Sequence, residues 1–368
     1  MNHNFFSMNL DKVLKCRLYF YTGLLRIIHS LLFSYSVKFD GHEETDLIVF
    51  NTCHLKKRND YVEYMNNFIG QCSSVRHLLE VNLSYTFTPF LFFQKIFFII
   101  AGFKKRKNFL ELVQLSQLNM LYLKIKKMEL HGKAVVTFCD AHPEDNMISQ
   151  MCSQLFGCKT YTLQHGYYTF SPDSINKEVY ENFVSDFMLC WGDITKNNLV
   201  KIGVDERRLI SFGCFKNIIK YEDHWCRNNS VLVLLNGTHN NESNIFLLSM
   251  ISDLLLHTNY HILLKQHPDD KNEYFLDKRV HKITSLKEGI CHSDFSIISE
   301  SGVFVDLYLS KHPFFILKTP NTKPEFEFLP NIISGIELIK LLQEDNPKIT
   351  HVPIDSLIQN DVPFEVIK

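Results

Sequence analysis

The stretch 260–268, YHILLKQHP, constrains the fold of this chain more than any other. It opens as an apolar, β-prone run and closes with Lys265, Gln266, His267 and Pro268. A short continuous run of this kind reads as a strand buried in a parallel sheet. Pro268 has no N–H for a ladder, so the strand stops there. Open α/β sheets bind ligands beyond the carboxyl ends of their strands. Lys265 offers that edge a mobile point charge, and His267 a donor that titrates near neutrality. Both suit the phosphates of a nucleotide-activated sugar or polyol.

The same rhythm recurs along the chain. Residues 46–51 (DLIVFN) read as the first buried strand, 60–70 as a helix, a second strand lies within 75–83, and 109–129 is helical. From Lys133 the alternation becomes regular: strand 134–139 ending at Asp140, helix 145–156 stopped by Gly157, and strand 159–163 running into Gln164, His165 and Gly166. Strand 187–190, helix 194–202 and strand 208–212 come next. A polar run over 221–229 marks a boundary, after which the pattern restarts. Strand 231–235 ends in Asn236, Gly237 and Thr238; then come helix 242–256, strand 260–266, a helix after Asp270 and a strand near 281–283. Strand 294–298 ends in Ser299, Glu300, Ser301 and Gly302, before helix 304–309, strand 313–317 and helix 333–342. Strands and helices alternating at these lengths predict an α/β chain of parallel sheets with crossovers. The expected organisation is a helical segment 1–44, a Rossmann-like domain 45–220, a second one 229–345 and a tail 346–368.

Composition narrows the function. Hydrophobic residues make up 45% and charged residues 21%, enough apolar material for two cores and no sign of disorder. A net charge of −1 gives no support to a nucleic-acid partner. Ten cysteines without one Cys-x-x-Cys spacing argue against a zinc ribbon or redox motif and suit reduced thiols in a cytoplasm. The chain has no GxxxxGK[ST], no GxGxxG after a strand and no GxSxG, which lowers the prospects of a P-loop ATPase, a nicotinamide enzyme and an α/β-hydrolase. No Asp-x-Asp follows a strand, so neither a metal nor a cofactor is expected. Lys12, Lys15 and Arg17 precede only a broken apolar stretch, unlike a secretory signal. Residues 89–103, PFLFFQKIFFIIAGF, lead into Lys104, Lys105, Arg106 and Lys107. This segment is too short to span a bilayer. It reads either as a helix lying in an anionic membrane interface or as a buried helix with a solvated basic end.

Three groups of residues can carry chemistry. Lys265 and His267 form the first, His267 being able to stabilise a leaving phosphate. Ser299, Ser301 and Gly302 form the second, with Ser301 expected to cap the next helix and main-chain N–H groups facing phosphate oxygens; Gly237 and Thr238 join this donor-phosphate set. Gln164, His165, Gly166 and Tyr167 form the third, on the acceptor side. Gly166 permits close backbone approach, and His165 is a general base toward an acceptor hydroxyl. Asp140, with His142 nearby, is the rival base or the orienter of His165.

LQHG at 163–166, MLCWG with RLISFGCF, LLKQHP, and DFSIISESGVFVDLYLSKHPFFIL together resemble the two-domain GT-B transferases of bacterial surface polysaccharides. That group includes CDP-glycerol glycerophosphotransferases, capsular Kdo transferases and bacterial sialyl- and polysialyltransferases; the chain also resembles an accessory protein of polysialic acid capsule clusters. The likeness covers about residues 130–320. It implies a GT-B fold, two Rossmann-like doubly wound domains facing a cleft, and metal-independent transfer of a sugar or polyol phosphate. The donor would be CMP-, CDP- or UDP-linked and the acceptor lipid-linked or a growing glycan, as in capsule or O-antigen synthesis. It further implies that His267, Ser299 and Ser301 hold donor phosphates, with His165 or Asp140 near the acceptor. The implied setting is the cytoplasm, peripheral at the inner face of the plasma membrane, beside capsule-complex proteins. Ile298 and Ser299 stand where the glycerophosphotransferases carry an aspartate and a tyrosine, which leaves the donor open. Two other expectations share the architecture: a non-catalytic component of a capsule assembly complex, and a sugar-nucleotide 2-epimerase.

Overall fold

The computed structural model describes residues 24–41, 45–103, 108–170, 180–181, 183–220, 229–237, 240–268, 270, 272–274, 277–344 and 349–368. The described chain divides into two units, and connectivity crosses between them more than once. The first holds residues 1–165, 172–216 and 356–368; the second holds 166–171 and 217–355.

In the first unit, α1 (Leu24–Leu32) leads into β1 (Phe33–Gly41), followed by β2 (Leu47–Asn51), α2 (Asn59–Ser73) and β3 (Leu78–Phe87). Next come α3 (Phe92–Gly102), α4 (Phe109–Ile125), β4 (Ala134–Thr137), α5 (Pro143–Phe156) and β5 (Lys159–Leu163). β6 (Phe187–Cys190), α6 (Asp193–Lys201) and β7 (Leu209–Ser211) complete it. The sheet runs β1-β3-β2-β4-β5-β6-β7 and is parallel except for β1, which lies antiparallel to β3. Strands β2 and β4 are buried at every position, as near-continuous apolar runs should be. Gly157, at φ +62, ends α5 with its N–H on the Ser153 carbonyl.

One expectation fails here. The described part of 1–44 is not all helix, because Phe33, Tyr35, Val37 and Phe39 recur at period two and the chain turns into a nine-residue strand. The interrupting serines, Ser34 and Ser36, hide this alternation in a stretch rich in Leu and Phe.

In the second unit, β8 (Ser230–Leu234), α7 (Asn241–His257), β9 (His261–Lys265), β10 (Val280–Ile283) and α8 (Leu286–His292) come first. β11 (Phe295–Ile298), α9 (Phe304–Leu309), β12 (Phe314–Leu317), α10 (Pro324–Glu327), β13 (Ile332–Ile333) and α11 (Gly335–Leu342) come after them. The all-parallel sheet runs β10-β9-β8-β11-β12-β13. Its core is built from Val231, Val233, Ile262, Leu264, Phe295 and Ile297 against Leu247, Ile251 and Leu254 of α7. The helix expected after Asp270 is absent among the described residues there. Asp270 instead accepts from the Asn272 N–H at 3.1 Å, and Gln266 Nε2 ties the Asp270 and Asn272 carbonyls. Local side-chain bonds of this kind compete with a helix.

Candidate functional site

Numbered within the second unit alone, the strand order is 3-2-1-4-5-6, the doubly wound arrangement whose ligand crevice lies where the order reverses. That reversal falls between β8 and β11. The residues just beyond the carboxyl ends of these strands therefore define the site. Beyond β8 stand Asn236 and Gly237; beyond β11 stand Ser299, Glu300, Ser301 and Gly302; beyond β9, the next strand over, stands His267. A Cβ on Gly237 would lie 3.3 Å from His267 Nδ1, so the imidazole rests directly against a bare stretch of main chain. Asn236 Nδ2 donates to Ser299 Oγ across the reversal. Asn236 is itself fixed by Asn244 of α7, through main-chain N–H (2.7 Å) and carbonyl (3.0 Å). Behind them Ser243 donates to Glu300 Oε1, while Glu300 Oε2 is buried with no hydrogen-bond partner.

The structure thus brings Gly237, His267 and Ser299 together, with Ser299 buried in the Asn236 bond. Lys265 is half-buried, and loss of solvent lowers its ammonium pKa from the usual value. Ser301 does not cap α9. That helix begins at Phe304 with Val303 as its N-cap and no side-chain cap bond, because 302–303 form a turn first. Gly302 lies near Tyr167, whose N is 3.9 Å from where a Cβ would sit. Gly166 and Tyr167 belong to this second unit, where Tyr167 donates to the Glu325 carbonyl at 2.7 Å and packs on Phe304 and Phe326. Thr238 lies outside the described residues.

Apart from its antiparallel edge strand, the first unit has the other common doubly wound order, and its reversal falls between β2 and β4. His54, three residues past β2, stacks on His142, which precedes α5, with ring centroids 3.7 Å apart. Beside them Glu144 is fully buried and accepts from the Tyr35 and Tyr85 hydroxyls, each at 3.0 Å, and from the Cys53 N–H at 3.0 Å. Asp145 accepts from the Cys139 N–H; burial, then the charge of Glu144, hold its carboxyl well above the usual range.

His165, one strand further on, has Tyr180 Oη at 3.4 Å and Cys139 Sγ at 3.8 Å from Nε2. Burial first, and then the charge of Arg58, push its imidazole down to about 4, so it is neutral at pH 7. Asp140 is committed elsewhere: one carboxylate oxygen accepts from the main-chain N–H groups of Val184 and Ser185 at 2.9 and 2.8 Å. Desolvation raises its pKa against those bonds. Gln164 is also internal, donating to Thr195 Oγ1 and accepting from the Trp191 N–H. Of the residues expected on the acceptor side, His165 and His142 carry imidazoles, while Asp140 and Gln164 are committed to internal bonds. His54 is not singled out by sequence, because NTCH comes after the strand without a glycine or a proline to mark it.

No protein-family model matches the chain, and no curated protein matches it. Solved structures do. UDP-N-acetylglucosamine 2-epimerase from Rickettsia bellii superposes with a TM-score of 0.52 at 14% identity, covering 88% of this chain and 93% of that one. HepE from Anabaena, solved with UDP-glucose, gives a TM-score of 0.51 at 10% identity, covering 81% and 89%. The fold is GT-B. At these identities the likeness speaks for the GT-B architecture of two Rossmann-like units, and the chemistry rests on the residues above.

Proposed function

We propose that the protein is a GT-B transferase that binds a nucleotide-activated sugar or polyol at the strand-order reversal of its second unit. The observation that carries this is the convergence of Gly237, His267 and Ser299 on that reversal. Without a Cβ at Gly237 the His267 imidazole packs against the main chain, and from there it can donate to a phosphate oxygen. Lys265 supplies a cation on the same strand. In this reading the acceptor hydroxyl attacks the donor's anomeric carbon, or its phosphorus in the polyol phosphate case. The bond to the nucleotide phosphate oxygen breaks, and the departing phosphate's charge is stabilised by His267. The hydroxyl proton passes to solvent or to a base beside the acceptor. A lipid-linked or growing glycan acceptor of capsular or O-antigen synthesis, polysialic acid included, at the cytoplasmic face of the membrane is the biological setting we assign.

Thermal-shift and calorimetric titrations with UDP-, CDP- and CMP-linked donors test the reading. One donor class should bind the wild type and lose affinity in His267→Ala; absence of binding by all three would sink it and favour a non-catalytic subunit. Likeness to a 2-epimerase fold favours a second reading, in which the bound sugar nucleotide turns over with no acceptor present. Incubating donor with enzyme alone, and following the sugar configuration, separates the two.

A further inference from the structure

Helix α3 carries two faces of opposite purpose. Lys95, Phe98, Ile99 and Gly102 point inward and are buried. Ile99 packs with Leu112 and Val113 of α4 and with Ile27 and Leu31 of α1, and Gly102 lies against Leu112. The opposite face, with the turn that precedes it, is bare: Phe93 is 70% exposed, Phe97 71% and Ile100 59%, with Phe90 at 73%. Residues 93, 97 and 100 succeed one another at i, i+4 and i+7, so their side chains form a single stripe. Isolated exposed apolar residues are ordinary on a protein surface, but a stripe of three phenylalanines and an isoleucine marks a contact face.

The charges tell which partner fits. The helix has a single cation, Lys95, and it is turned away from the stripe; its Nζ donates to the main-chain carbonyls of Ser30 (2.7 Å) and Phe33 (2.5 Å). The exposed residues of α3 are thereby left without charge, and Gln94, beside Phe93, is the one polar side chain among them. In sequence, Phe103 is followed at once by Lys104, Lys105, Arg106 and Lys107, and no Asp or Glu occurs between Glu80 and Glu111. An aromatic stripe tethered to a run of cations, without a carboxylate near it in sequence, complements an anionic lipid surface: rings enter at headgroup depth and ammonium groups meet phosphates. No described helix is long and apolar enough to cross a membrane, so the mode is lying on the surface.

We infer that the outer face of α3 is a membrane-docking face that inserts Phe93, Phe97 and Ile100 into an anionic leaflet. The inference rests on the first unit alone and does not depend on the transferase reading.

Co-sedimentation of the full chain with phosphatidylcholine vesicles, with and without phosphatidylglycerol, provides the test. The wild type should bind the mixed vesicles, weakly or not at all the neutral ones, and less as salt rises. Phe93→Ser with Phe97→Ser should cut partitioning by roughly tenfold or more, with an unchanged circular dichroism spectrum and melting temperature. Phe97→Trp supplies a readout that keeps the face apolar: lipids brominated in the acyl chain should quench its emission beyond that of the wild type. Wild type that ignores anionic vesicles, a double variant that binds them equally, or an unquenched Phe97→Trp would each overturn the inference. So would concentration-dependent self-association that the serine variants abolish while vesicles leave it untouched, because the face would then belong to a second copy. Failure of vesicle binding with donor binding intact would leave the proposed function standing, and the reverse result would leave this inference standing.

Discussion

At the residue scale, the second unit's site depends on an imidazole lying against a glycine. Replacing His267 by Ala removes a donor to a charged phosphate, an interaction of about 1.5–3 kcal/mol. Donor affinity should fall by roughly ten- to a hundredfold with little change in melting temperature, as calorimetry would show. Gly237→Val should act on the same quantity by a different route, because a branched side chain starting 3.3 Å from His267 Nδ1 displaces the ring. Equal donor affinity in both variants and wild type would place the phosphates elsewhere. A second prediction concerns acid. His165 and His312 are both pushed down to about 4, chiefly by burial, whereas an unfolded histidine titrates near 6.5. Between those values the unfolded chain takes up protons that the native chain refuses. Stability is therefore unaffected by these groups above about pH 6.5 and falls as pH drops toward 4. Melting curves at pH 7.5, 5.5 and 4.5 should show this loss, and His312→Asn should flatten part of it relative to wild type. An identical acid profile in the variant would mean that the native imidazole is hydrated.

At the scale of elements, the close approach at Gly192 makes a sharp test. Its backbone is extended, so no left-handed conformation demands glycine; space does. A Cβ there would meet the carbonyl oxygens of Ser356 and Leu357 at 2.5 and 2.6 Å, both main-chain atoms that cannot swing aside. Gly192→Ala should cost about 1–3 kcal/mol, as overpacking does, and open 356–368 to proteolysis. Wild-type resistance would mean that this segment shifts freely. Of the strands expected from the sequence, β2, β4, β5, β6, β8, β11 and β12 are buried along most of their length, where both faces demand apolar side chains and no helical period competes, whereas β9 is fully buried only at Ile262 and Leu264. β1 was hidden because it is an edge strand whose last residues are exposed, so half its positions carry no burial signal. Ser301 misled for a similar reason: a serine before an apolar run is a cap signature, yet a turn at 302–303 delays the helix, and its start depends on packing.

At the scale of the whole molecule, the first unit is completed by chain that comes after the second in sequence. Leu357 and Ile367 are fully buried there, Phe364 packs with Phe68, Phe212 and Phe215, and Gln359 N–H bonds the Trp191 carbonyl at 2.7 Å. A chain ended after Asp355 should lose roughly 3–6 kcal/mol from the first unit, counting two aliphatic side chains at about 1.5–3 kcal/mol each. Two-step melting, with only the earlier step shifted and the donor-induced shift retained, is the expected result; a single unshifted transition would contradict it. The amino-acid order alone determined where buried strands begin and end and which polar groups each delivers to its carboxyl edge. Those facts stem from local hydrophobic pattern and from proline and glycine stops, which act within a few residues. Only the tertiary structure decided which strands are neighbours, and so which of those groups meet. His267 touches Gly237, and His54 stacks on His142, through crossovers spanning about thirty and ninety residues, while Asp140 is turned onto main chain and away from solvent. Strand order is set by the burial of whole sheet faces, a property of the folded sheet that no short stretch of sequence contains.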